Sequence, residues 1–178
     1  MKNLKIAFLL LVVATFGSCN DDDPITVALD FNIQNVSGNY GINSFNANLT
    51  NSAITQGTSV IISTATKTGG IFQIDLTLNP DGTYTAAGDY SVETVVTPVS
   101  GNQTIDQTII NVNNTGTFTI STTGPRTITF TATTGTFLNG EYRVNLLDED
   151  TLTIIQDKSE TIGGITTQTI TNIIFQRD

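Results

Sequence analysis

The chain has no histidine and a single cysteine, Cys19. That removes Ser-His-Asp and Cys-His nucleophiles and most imidazole-based metal sites. No glycine-rich loop carries a lysine in the manner of a phosphate-binding loop. Carboxylates are the remaining catalytic option. Asp148, Glu149 and Asp150 form the densest group after the N-terminal region, but they sit between two strand-like segments and read as a solvated hairpin turn. They lack the alternating spacing and the glycine of a calcium loop. Asp75, Glu93, Asp106 and Glu141 are scattered, and glycoside hydrolysis needs two carboxylates facing each other across a cleft, about 5–10 Å apart. Nothing favours any pair. The reading is therefore non-enzymatic, with no cofactor and no metal. Tyr84, Tyr90 and Tyr142 are the candidate ligand contacts, should the fold enclose a cavity, against core packing as the plainer role of the aromatics.

Cys19 has a telling position. Lys2 and Lys5 precede an apolar run, Ile6 to Phe16, and the small residues Gly17 and Ser18 lead into the cysteine. A basic start, a short apolar stretch and small residues make a secretion signal over residues 1–18. The run is too short for a permanent helical span, which needs about 20 residues. "FGSC" resembles a bacterial lipobox, with Phe16 where leucine is usual. The resemblance implies cleavage before Cys19 and acylation there, with palmitate-type chains. Two or more chains on one residue give stable anchoring, at about 0.8 kcal/mol per buried CH₂. "NDDD" follows, and Asp21, Asp22 and Asp23 resemble the acidic export signal of Bacteroidota lipoproteins. That implies an outer-membrane protein facing the cell exterior, with the periplasmic face as the alternative. Residues 19–35 read as an acidic tether, although "ITVALDF", Ile25 to Phe31, has enough strand character to pack on a domain.

The remainder, 36–178, reads as one all-β domain. Charged residues make up 13% of the chain, about half the usual share, while 33 threonines fill the gap. Threonine is β-branched and suits a pleated, half-buried surface. The formal charge is −9, which repels phosphate backbones and argues against nucleic-acid binding.

Period-2 alternation recurs throughout. In "IFQIDLTL", Phe72, Ile74, Leu76 and Leu78 share a face. In "RTITFTA", Ile128 and Phe130 do, and in "GEYRVNLLD", Tyr142, Val144 and Leu146. "NPDGT", Asn79 to Thr83, is a turn, with proline pre-setting one dihedral and glycine supplying a positive one. Gly88 is expected to break the strand that follows. The best helix candidate, "INSFNANLTNSAITQ", is polar and weak. Eight to ten strands joined by short loops predict an antiparallel up-and-down meander. Closing it into a barrel removes the edges, and a two-sheet β-sandwich is the alternative.

Residues 36–178 also resemble the small lipocalin-like domains of Bacteroidota lipoproteins. "VSGNYGI" stands where those have Gly-x-Trp, with Tyr40 in the tryptophan's place. "LTLNPDGTY", "YRVNLLDEDTLTI" and "IIFQR" resemble their later hairpins and last strand, and the resemblance assigns Arg177 as the basic partner at the barrel base. It implies a barrel with a place for a small apolar ligand. An adhesin or glycan-binding accessory module on a sandwich is the other reading. "DTL", Asp150 to Leu152, resembles a Bacteroidota O-glycosylation sequon at Thr151.

Overall fold

A computed structural model of the chain describes residues 28–178. Cys19, Asp21, Asp22, Asp23 and the signal segment lie outside the described residues. Eight antiparallel strands follow one another as a meander: β1 Gly38–Thr55, β2 Thr58–Leu78, β3 Thr83–Pro98, β4 Thr104–Ser121, β5 Thr127–Thr134, β6 Gly140–Leu147, β7 Thr151–Ile162 and β8 Ile165–Arg177. Strand β1 also pairs with β8, Tyr40 opposite Arg177 through to Ala53 opposite Ile165. The sheet is thus a closed barrel, not a two-sheet sandwich. Closure leaves the lower ring without a free edge.

The ring divides into two levels. At the lower end lie the β2–β3, β4–β5 and β6–β7 turns and both ends of the described chain. Here inward side chains fill the barrel: Tyr40, Leu76, Tyr84, Phe130, Ile154 and Phe175 are each 1% exposed or less. Phe130 is the hub, with its ring centroid 5.1 Å from Tyr84, 5.7 Å from Tyr142 and 6.2 Å from Phe118. A one-turn helix, α1 Ile33–Val36, lies at this end and is capped by the Asn32 side chain, which accepts from the Asn35 amide. Upstream of it, Leu29 donates to the Leu147 carbonyl at 3.0 Å, and Phe31 lies under Arg126 at 6.0 Å. The chain from Ala28 is therefore packed on the barrel and not extended away from it.

Three local expectations change, and one range narrows. The polar segment Ile42–Gln56, the best helix candidate, lies almost wholly within β1. It is paired on both sides, and two ladders of hydrogen bonds outweigh weak helix propensity. Gly88 does not break β3. It pairs with Ile74, just past a bulge in β2 between Gly70 and Gln73, and a Cβ there would meet the Gln73 carbonyl oxygen at 1.8 Å. Glycine is what lets β3 run straight past that bulge. Leu146 does not share the inward face of Tyr142 and Val144. A register shift between Val144 and Leu146 turns it outward, 39% exposed, and puts Leu147 inside. Finally, the count settles at eight strands, because the "YTAAGDYSVETVV" run is one strand, β3.

Candidate ligand cavity at the barrel mouth

Strands β5 and β6 have 8 residues each, while β4 has 18 and β7 has 12. Above the lower ring, therefore, the wall lacks two strands. A cavity of about 600 Å³ opens there, over the packed core. Its floor is aromatic. Tyr90 holds Phe45 at 5.5 Å and Phe137 at 5.8 Å between ring centroids, and Tyr142 and Ile173 complete that surface. Ile110 and Val112 from β4 form an apolar side. The rim is polar and mostly amide: Asn111, Asn113, Asn114, Asn139 and Gln156, with Lys158 above.

The rim is built, not loose. The β5–β6 loop, 135–139, is held by three carboxamides. Phe137 donates its amide to Asn114 Oδ1 at 3.2 Å, and Ala132 donates to Asn139 Oδ1 at 3.4 Å. Gln156 Nε2 donates to the Asn139 carbonyl at 3.0 Å. Gly135, at φ +72, makes the first of these possible: a Cβ on it would lie 2.1 Å from Asn114 Oδ1. The positive φ also favours glycine on its own account.

Above the cavity the inner face of the tall wall is hydrophilic. Thr167 donates to Asn51 Oδ1 at 2.7 Å, and Asn51 donates to Ser63 Oγ at 2.9 Å. These bonds run across β8, β1 and β2. Lys158 meets Glu160 at 3.5 Å, both side chains more than half exposed, so their attraction is weak.

Tyr90 and Tyr142 of the three tyrosine candidates line the cavity, 5% and 3% exposed. Burial raises the Tyr90 phenol and pushes that of Tyr142 up to about 12. Both phenols are therefore neutral at ordinary pH. Tyr84 lies lower, edge-on to Phe130, with its hydroxyl donating to the Leu138 carbonyl at 2.7 Å. It belongs to the packed core that supports the floor. The residues that sequence reasoning missed are the five amides and the two phenylalanines, Phe45 and Phe137. Asn in a strand reads as a solvated outer position, yet Asn114 and Gln156 hold the loop that borders the cavity, and Asn111 and Asn113 border it from the exposed positions of β4.

The carboxylate candidates are placed elsewhere. Asp148 is 4% exposed and accepts from the amides of Asp150 at 2.9 Å and Thr151 at 2.6 Å. It fixes the β6–β7 turn. The Thr151 amide is thereby committed to that turn. Asp75 and Glu93 are exposed on the outer wall, where Glu93 accepts from Gln107 at 3.2 Å. Glu141 shares an outer groove with Asp157 and Arg143, away from the mouth. Asp106 is exposed on upper β4. Among the described residues, no three carboxylates are grouped to hold a metal.

At the opposite end, Arg177 lies over the Tyr40 ring, 5.1 Å from its centroid. Its Nη2 donates to the Tyr40 hydroxyl at 2.7 Å and also to the Asn35 carbonyl. Tyr40 in turn donates to the Val36 carbonyl at 2.8 Å. This cluster ties α1, β1 and β8 together and seals the base. No family model, curated protein or solved structure matches the chain.

Proposed function

We propose that this is a binding protein rather than an enzyme, held to the outer membrane by lipid on Cys19 and displayed outward through Asp21, Asp22 and Asp23. Its ligand is a small molecule with an apolar face, taken into the barrel mouth. The observation that carries the reading is the open cavity of about 600 Å³ with an aromatic floor and an amide rim. Ligand pockets commonly have that size and that mix of apolar surface with a few placed polar groups. The described chain starts beside Asp148 at the lower end, which supports a tether at the base with the mouth facing away.

N-phenyl-1-naphthylamine, a neutral apolar fluorophore, tests the site. It should bind one per chain and lose binding in Val112→Trp, which fills the cavity from β4. Equal binding by that variant overturns the site. Membrane retention of Cys19→Ala would refute the anchor. Unchanged protease shaving of cells carrying Asp21→Ala, Asp22→Ala and Asp23→Ala together would refute the export role. The amide rim supports a second ligand class, a glycan, since carboxamides hydrogen-bond hydroxyls and rings stack on sugar faces. An oligosaccharide panel that binds where the fluorophore fails would select it.

A further inference from the structure

Among the described residues, the same missing strands leave two free strand edges above the lower ring. β4 pairs with β5 only from Thr115 to Ser121. Its upper part, Thr104 to Asn113, is paired with β3 alone. β7 pairs with β6 only from Leu152 to Ile155, so Gln156 to Ile162 is paired with β8 alone.

The two edges differ. The β7 edge carries Asp157, Lys158 and Glu160 within seven residues, and charge is a usual guard against strand addition. The β4 edge, "TIDQTIINVN", has Asp106 as its one charge, no proline and no bulge against β3. Its outer face shows Ile105 and Ile109, 65% and 68% exposed. Thr115 donates its amide toward β5, to Thr134 Oγ1 at 3.1 Å. In an antiparallel strand alternate residues point their N–H and C=O the same way. The groups of Ile105, Gln107, Ile109 and Asn111 therefore face the open side.

We infer that this edge is a docking strand for a second copy of the chain, joined antiparallel about a two-fold axis at Gln107. In that register Ile105 faces Ile109 of the second copy, Gln107 faces its own counterpart, and Asp106 faces Thr108. Both exposed isoleucines gain an apolar cross-strand neighbour, and no like charges stand directly opposite each other. The outward-facing residues are odd-numbered, so the axis must pass through an odd residue. Gln107 satisfies this and stops short of Asn113, whose carbonyl oxygen lies against Gly135. An isologous contact of this kind closes at two copies and does not propagate. The inference is independent of what occupies the cavity.

Two measurements test it on the full chain. In a Cys19→Ala background, Gln107→Cys should cross-link to a dimer under copper–phenanthroline, because Cα atoms of a hydrogen-bonded antiparallel pair are about 5.5 Å apart, within disulfide reach. Thr161→Cys, on the β7 edge, should remain a monomer. Equal cross-linking of the two, or none at Gln107, overturns the inference. In analytical ultracentrifugation under reducing conditions the unsubstituted chain should sediment as a dimer. Ile109→Lys should weaken the dimer about tenfold or more with an unchanged melting profile, since the change occurs twice per dimer. A monomer across the micromolar range, or a dimer indifferent to Ile109→Lys, also overturns it.

Discussion

The lower and upper levels of this barrel are made of the same eight strands, yet they solve opposite problems. In the lower level every strand has two neighbours and inward positions carry Tyr, Phe, Ile and Leu. In the upper level six strands stand without β5 and β6, and inward positions carry Thr, Asn, Ser and Lys. Large exposed aliphatics cluster at the upper level: Ile54, Val60 and Ile61 on the β1–β2 hairpin, Val99 between β3 and β4, and Ile162 and Ile165 on the β7–β8 hairpin. The difference teaches that strand length around the ring decides which part is core and which part is open. Packed core concentrates where the ring is complete, and a cavity appears where it is not.

The largest test of that division is Phe130→Ala. It removes the ring that three other aromatics pack on and should cost about 3–5 kcal/mol, read by urea unfolding. A loss below about 1 kcal/mol would show the lower level to be looser than its packing implies.

Alkaline pH comes next. Burial raises all four tyrosines of the chain, Tyr40, Tyr84, Tyr90 and Tyr142. The unfolded phenols titrate near pH 10, below their folded values, so the unfolded chain sheds protons first. Stability should hold below pH 10 and fall as pH rises toward and through 12. Tyr142 alone, at about 12, should account for a loss of about 2 kcal/mol by that pH. Tyr142→Phe should flatten the decline. Absorbance titration at the phenolate band serves as the direct check, since the chain has no tryptophan. A phenol titrating normally in the folded chain would contradict the burial.

Arg177→Met should cost about 1.5–3 kcal/mol, because it deletes charge-assisted bonds to the Tyr40 hydroxyl and the Asn35 carbonyl at the sealed end. Hydrogen exchange should show α1 loosening with it. The smallest effect belongs to the upper level. Ile54→Thr, at a 73% exposed position, should shift stability by no more than about 0.5 kcal/mol. A larger loss would mean that the hairpin tip is covered in solution, which would blur the contrast between the levels.

Much of the lower level was legible in the sequence. Period-2 runs placed Ile74, Leu76, Leu78, Ile128 and Phe130 on inward faces, and all five are buried. The "NPDGT" turn is formed as expected, with Asp81 accepting from the Thr83 amide at 2.9 Å and hydroxyl at 2.7 Å. Those bonds hold the Asp81 carboxyl below its ordinary range. One lower-level detail was not legible: Leu146 and Leu147, beside the β6–β7 turn, exchange faces because of a bulge, and a bulge has no period of its own. The upper level was not legible in the same way. Phe45, Phe137 and the rim amides converge from different strands and from the β5–β6 loop, and nothing local marks them as neighbours.

By itself the sequence determined an all-β meander. Alternation selects strands, turn chemistry selects hairpins, and both act over a few residues. It also supplied the reading of Cys19 and the aspartates, which lies outside the described residues. Only the tertiary structure decided that β1 meets β8, where the ring is complete, and which end is open. Those outcomes depend on register between strands far apart in the chain, such as Tyr40 against Arg177. Register is set by the sum of many cross-strand contacts, and no single segment contains that sum.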